Sequence, residues 1–128
     1  MTSALPFTSV QGFLTGYLAT GGTNGLVLNG MVAVAPGQIR FVTAAASGGG
    51  TTYILDVTVN GRTIWTNPAD RPTLTGASAG KFVSGRVNAS AIKPGDLILL
   101  MVAQAGNKAN LVATVAIEDP SQQAGRFL

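Results

Sequence analysis

Thr52-Tyr53-Ile54-Leu55-Asp56-Val57-Thr58-Val59-Asn60-Gly61-Arg62-Thr63-Ile64-Trp65 is the stretch that decides the fold. Tyr53, Leu55, Val57 and Val59 fall on one side of an extended chain, and Ile54, Asp56 and Thr58 on the other. That period of two is the mark of a half-buried strand. Asn60-Gly61 supplies two residues that tolerate positive φ, as a two-residue type I′ turn requires. A turn this short fixes the register. It sets Val59 opposite Arg62, Thr58 opposite Thr63, Val57 opposite Ile64, and Asp56 opposite Trp65. Leu55, Val57 and Ile64 are thereby expected on the core face, and Trp65 on the opposite face beside Asp56 and Thr63.

The flanking chain also reads as strand and turn. Met31-Val32-Ala33-Val34 runs into Ala35-Pro36-Gly37, where Pro pre-sets φ. Gln38 to Ala46 follows, with Ile39, Phe41, Thr43 and Ala45 alternating against Arg40, Val42 and Ala44. Thr66 to Gly80 reads as a long loop, and Lys81 to Asn88 as a short strand. Lys93-Pro94-Gly95-Asp96 is a second Pro-Gly turn. Asp96 to Gln104 is apolar on both faces: Leu97, Leu99 and Met101 on one, Ile98, Leu100 and Val102 on the other. Such a strand is either doubly covered within a sandwich or lies at a subunit interface. Leu111 to Glu118 closes the series.

About seven short strands with no convincing helix predict an all-β fold, an antiparallel β-sandwich or jelly-roll-like single domain over residues 26–119. Its expected core contains Ile39, Phe41, Leu55, Val57, Ile64, Leu97, Leu99, Leu111, Val115 and Ile117. Residues 1–25 read differently. Five glycines punctuate them, and Phe7, Val10, Phe13, Leu14, Tyr17 and Leu18 decorate them at irregular spacing. Two glycines inside Val10 to Leu18 weigh against a helix. An extended N-terminal arm, with apolar anchors laid over a partner, is the expectation. Residues 120–128 form a polar C-terminal tail with an apolar tip.

Composition narrows the chemistry. The 128 residues include no cysteine and no histidine, and Glu118 is the only glutamate. Thiolate and histidine metal sites, cysteine nucleophiles and the Ser-His-Asp triad are excluded. Only 10% of the residues are charged, against about 25% in an ordinary soluble domain. Either this is a neutral, threonine-rich β protein, or much of its surface faces other protein chains. The net charge of +3 comes from eight scattered basic residues. A nucleic-acid footprint needs them clustered, so no nucleic-acid partner is expected. The longest apolar run, Leu97 to Ala103, is far below the ~20 residues of a membrane span, and no secretory leader is predicted.

Motif by motif, the sequence offers little catalysis. Gly76-Ala77-Ser78-Ala79-Gly80-Lys81 has one residue too few between its glycines for a phosphate loop, and Phe82 follows the lysine. Asn88-Ala89-Ser90 matches a glycosylation sequon but has no secretory context. Ser78, Ser84 and Lys81 are close in sequence, yet nothing signals the desolvated lysine and oxyanion hole that a Ser/Lys pair needs. Asp56, Asp70, Asp96 and Asp119 are too dispersed for a calcium loop. Trp65 with Tyr53, Tyr17 and Arg71 is a candidate glycan-binding face; the plainer reading packs Trp65 against the proline-rich loop or a neighbouring subunit.

Pro36-Gly37-Gln38-Ile39, Leu55-Asp56-Val57-Thr58-Val59-Asn60-Gly61-Arg62-Thr63-Ile64-Trp65-Thr66, Arg71-Pro72-Thr73-Leu74, Pro94-Gly95-Asp96-Leu97-Ile98 and Ala109-Asn110-Leu111 occur in this order. Together they resemble a β module of tailed-bacteriophage virion proteins, found in head decoration (cement) proteins, head fibres and tail-fibre or baseplate-associated proteins. The resemblance covers about two thirds of the chain, implies a virion structural role, leaves the location in the virion open and carries no catalytic residues across; a non-enzymatic protein without cofactor or metal is expected. A single module with a short arm suits a decoration protein on the outer surface of the head, with the major capsid protein as partner. The alternative is a fibre-tip or glycan-binding module for host attachment. Low charge and the two-sided strand further predict a homo-oligomer, foremost a homotrimer. Phe7, Phe13, Leu14, Tyr17 and Trp65 are the expected capsid or subunit contacts.

Overall fold

The computed structural model describes residues 10–20, 22–47, 52–75, 83–85, 90–106 and 109–118. They form two antiparallel sheets packed face to face. The strands are β1 (Val10–Thr20), β2 (Val27–Val32), β3 (Gly37–Ser47), β4 (Tyr53–Val59), β5 (Arg62–Thr63), β6 (Thr73–Leu74), β7 (Val83–Gly85), β8 (Ser90–Ile92), β9 (Leu97–Gln104) and β10 (Ala109–Glu118). Sheet A runs β1-β10-β3, with β7 and β8 sharing the far edge of β3; sheet B runs β2-β9-β4, with β5 and β6 sharing the far edge of β4. The pairs nest: first strand with last, second with second-last, third with β8. This is the wrapped order of a jelly roll.

The Asn60-Gly61 hairpin forms as its sequence dictates. Asn60 and Gly61 have φ of 52° and 84°, and Val59 pairs with Arg62 and Thr58 with Thr63. Trp65 departs from its expected place. The β5 ladder ends at Thr63, the chain bends at Ile64, and Trp65 turns inward to become 2% exposed in the core. Thr63 Oγ1 anchors the bend, accepting from the Trp65 backbone N–H at 3.3 Å.

Two core expectations are inverted. Strand β9 buries Ile98, Leu100 and Val102, while Leu97 is 42% exposed and Leu99 half-buried. With both faces apolar, periodicity had no preference; the register decides, because Leu100 and Val102 stand opposite Val57 and Leu55. Phe41 is 49% exposed rather than buried. Ile39 pairs with Ile117 but Phe41 pairs with the adjacent Ala116, so Arg40 is an extra residue on β3. This bulge reverses the faces, and Val42, Ala44 and Ala46 point inward beyond it.

Residues 10–20, expected within the arm, are strand β1, hydrogen-bonded along β10. Leu14 and Gly16 face inward; Phe13, Thr15 and Tyr17 face outward. Gly16 is required there, since a Cβ would lie 2.8 Å from Leu28 Cβ and 3.0 Å from Leu100 Cδ2. The inner face of sheet A is thus small in places (Gly16, Ala44, Ala46, Ala113), whereas sheet B supplies Tyr53, Leu55 and Leu100. Small against large is how close-packed interiors fill. Residues 1–9 and 119–128, with Phe7 and the tail, lie outside the described residues.

Candidate functional site

Three strands of sheet A, β1, β10 and β3, set outward side chains in register. Phe13 on β1 stands beside Ala116 on β10, which stands beside Phe41 on β3. The next outward row is Thr15, Thr114 and Thr43, and the one after is Tyr17, Val112 and Ala45. Ala116 is 2% exposed although it points outward, as the two flanking phenylalanines leave it no open surface. Phe13, Tyr17, Phe41 and Val112 are 42–62% exposed. The bulge at Arg40 is what delivers Phe41 to this face.

No side chain in these three rows carries a charge at neutral pH. One end is closed by Arg40 and Glu118, an ion pair at 3.5 Å whose arginine is half exposed to screening solvent. At the other end Tyr17 Oη donates to Asn110 Oδ1 at 3.1 Å, and Asn110 Nδ2 donates to Ser47 Oγ at 3.1 Å. These bonds hold the Tyr17 ring in one orientation. The result is a flat platform with aromatic rows on either side of a threonine row. Exposed large apolar side chains gathered in adjacent rows make this face the candidate surface for association. Hydroxyls between aromatics suit a dry protein contact or weak hydrogen bonding to a neutral partner; they offer no acid, base or nucleophile pair.

Of the expected contact residues, Phe13 and Tyr17 lie on this face. Leu14 and Trp65 are 4% and 2% exposed within the chain's own core, and Phe7 lies outside the described residues. Burial removes Leu14 and Trp65 from any outer contact. Trp65, Tyr53, Tyr17 and Arg71 share no surface: Tyr53 is fully buried, and Tyr17 belongs to the other sheet. Phe41, Thr43, Thr114 and Val112 were missed. Their signal was the Thr43–Thr114 and Ala45–Val112 matches, which emerge only once β3 and β10 are known to be neighbours.

Polar side chains of β4, the Asn60-Gly61 turn and the Lys93–Asp96 turn hold the hairpin together. Asp56 Oδ1 accepts from Thr63 Oγ1 at 2.6 Å and from the Val57 N–H at 2.8 Å, and Oδ2 lies 3.7 Å from Arg71 Nη1. Asn60 Nδ2 donates to Asp96 Oδ1 at 2.9 Å, and Asn60 Oδ1 accepts from the Leu97 N–H at 2.9 Å. Asp96 Oδ2 accepts from the Lys93 N–H at 2.9 Å. Beside this brace, Val59, Arg62, Ile64, Ala91 and Lys93 help line an open cleft of about 420 Å³. The Asp96 carboxylate there has both oxygens engaged. Among the described residues no three His, Cys, Asp or Glu side chains are placed to hold a metal ion.

The backbone hydrogen bond from Lys93, then the Asn60 amide, and least the Lys93 charge hold the Asp96 carboxyl below its ordinary range, against a smaller opposing effect of burial. A carboxylate with a depressed folded-state pKa contributes stability that is present above its unfolded value, about 3.9, and lost as pH falls through the folded value. Asp96→Asn is therefore expected to be less stable than the parent at pH 7. The difference shrinks as pH falls below about 4. Urea unfolding of both proteins at pH 7, 5 and 3 checks this; a gap that stays constant or widens in acid contradicts it.

The chain matches no protein-family model and no curated protein.

Proposed function

We propose that this protein is a non-enzymatic structural component of a bacteriophage virion: a decoration protein that lies on the outside of the assembled head and reinforces it. The observation that carries the proposal is the uncharged platform of sheet A, with Phe13, Tyr17, Phe41 and Val112 exposed in rows around three threonines. A monomer in water gains nothing from such a face, and a protein that binds a capsid in many copies needs one. The module resemblance supplies the setting, and the major capsid protein is the partner. Motif residues tied up in the hairpin brace fit a scaffold role better than a catalytic one.

The test mixes the purified protein with phage heads that lack it and measures co-sedimentation. The intact protein is expected to bind, with little change between low and high salt, because few phosphate-like or charged contacts are involved. Phe41→Lys places a desolvated cation in the contact and is expected to weaken binding about tenfold or more, with the fold intact. Unchanged binding by Phe41→Lys removes the platform from the contact. If the intact protein ignores heads and binds a host-surface glycan, the fibre-tip reading takes its place.

A further inference from the structure

Asn-Gly occurs in the chain at Asn24, Asn29 and Asn60, and this pair carries a reaction of its own. Glycine has no Cβ to shield its backbone nitrogen. Once hydroxide has taken its proton, that nitrogen can attack the Cγ of the preceding asparagine. A Cγ–N bond forms, the Cγ–Nδ2 bond breaks, and Nδ2 leaves as ammonia with a proton from water. Water then opens the cyclic imide at either carbonyl and leaves aspartate or isoaspartate. The attack requires the side-chain amide to turn until Cγ faces the glycine nitrogen. At Asn60 the fold opposes that turn. Nδ2 donates to Asp96 Oδ1 and Oδ1 accepts from the Leu97 N–H, both at 2.9 Å, and the hairpin turn fixes the backbone of the pair. Asn60 and Gly61 are exposed, so hydrogen bonds rather than exclusion of water hold the reaction off. Asn24 Oδ1 accepts from the Ala105 N–H and Asn29 Nδ2 donates to the Thr15 carbonyl, both at 2.8 Å. Among the described residues Asn60 is the one of the three with both amide atoms held by another segment.

We propose that Asn60 is a deamidation site that folding closes, and that a chain deamidated there while unfolded can no longer build the brace. Either product sets a carboxylate where the amide donated. Asp96 Oδ1 then faces an acceptor of its own charge instead of a donor at 2.9 Å, and a buried acceptor without its donor is costly. The second Asp96 oxygen is already taken by the Lys93 N–H, so the carboxyl cannot turn to escape. Arg62 and Lys93 line the adjoining cleft. Both are exposed, so their attraction for the new charge is screened and replaces no hydrogen bond. Isoaspartate adds a further fault, because it lengthens the backbone inside a two-residue turn that sets the register of the hairpin. The reaction thus discriminates between chains by folding history: those that fold promptly keep Asn60, and those that linger unfolded lose it. The inference concerns the chain alone and stands whether or not the platform meets a capsid.

The test incubates the full chain in mildly alkaline buffer, folded and in urea, and follows deamidation by mass spectrometry of tryptic fragments. Cleavage after Arg40 and Arg62 isolates Asn60 in the fragment 41–62, apart from Asn24 and Asn29. Asn60 is expected to react at least about tenfold more slowly in the folded chain, since the hairpin must first open. Asp96→Ala releases Nδ2 and should remove most of that protection, with an unchanged circular dichroism spectrum. Asn60→Asp reproduces one product and should unfold at a lower urea concentration than the parent. Adding Asp96→Asn to Asn60→Asp restores a donor: the amide at 96 donates to the new carboxylate, and its oxygen still accepts from the Lys93 N–H. The double variant should recover most of the lost midpoint. Equal rates in the folded and unfolded chain, protection that survives Asp96→Ala, or an Asn60→Asp variant as stable as the parent overturns the proposal.

Discussion

Trp65→Ala is expected to cost about 3–5 kcal/mol of folding stability, the range for removing a large aromatic from a packed interior. Trp65 is 2% exposed and belongs to the core cluster with Tyr53, Leu55 and Leu74. The site has little freedom to collapse, because Trp65 is held at a bend whose backbone is tied to Thr63. For a domain of this size the loss corresponds to a fall in Tm on the order of 10–20 °C. Trp65→Phe keeps a ring in the site and should lose less. Thermal unfolding followed by circular dichroism measures both. Were Trp65 an outer contact residue, as the hairpin register alone suggests, the alanine variant would melt with the parent and fail only in association.

Leu100→Ala and Leu97→Ala form the second test, three residues apart on one strand. Leu100 is fully buried opposite Val57, and its truncation is expected to cost about 2–5 kcal/mol. Leu97 is 42% exposed at the Val32 end of β9, and its truncation is expected to stay within about 1 kcal/mol. Urea unfolding with equal slopes for both variants gives the comparison directly. The opposite ranking would mean that β9 presents its other face to sheet A, with the whole β4–β9 register displaced by one.

What the sequence made legible was local. Asn60-Gly61 specified its own turn and the two ladder pairs on either side of it, because turn chemistry acts over four residues. The alternation in β4 named Leu55 and Val57 as core, since Asp56 and Thr58 marked the other face. Where both faces were apolar, the pattern carried no sign, and β9 was assigned inside out. In β3 the sign changed midway at Arg40, and alternation extrapolated from Ile39 misplaced Phe41. Strand β1 hid for a related reason: Phe13, Thr15 and Tyr17 alternate with Leu14, Gly16 and Leu18, so neither side reads as polar. Gly16 weighs against a helix in the sequence, and in the fold the crowding of Leu28 and Leu100 around it is why no side chain fits. The platform was half visible, through Phe13 and Tyr17. Its remaining residues belong to β3, about 30 positions further along the chain, and to β10, about 100 positions further, and no local pattern announces neighbours at such distances.

That distance also governs how the chain must reach its native state. Tyr17 and Asn110, hydrogen-bonded across β1 and β10, are 93 residues apart, and β10 lies between β1 and β3 although it is the last of the described strands. During synthesis β1 and β3 emerge from the ribosome with the place between them vacant, and sheet A cannot close until residues 109–118 follow. Topologies dominated by such non-local pairing fold slowly, because loop-closure entropy is lost before any contact compensates it. Until then the nascent chain carries β1 and β3 without the strand that joins them, where they can attract other chains. Synonymous changes that slow translation after residue 85 are accordingly expected to lower the yield of folded protein without touching a single native contact.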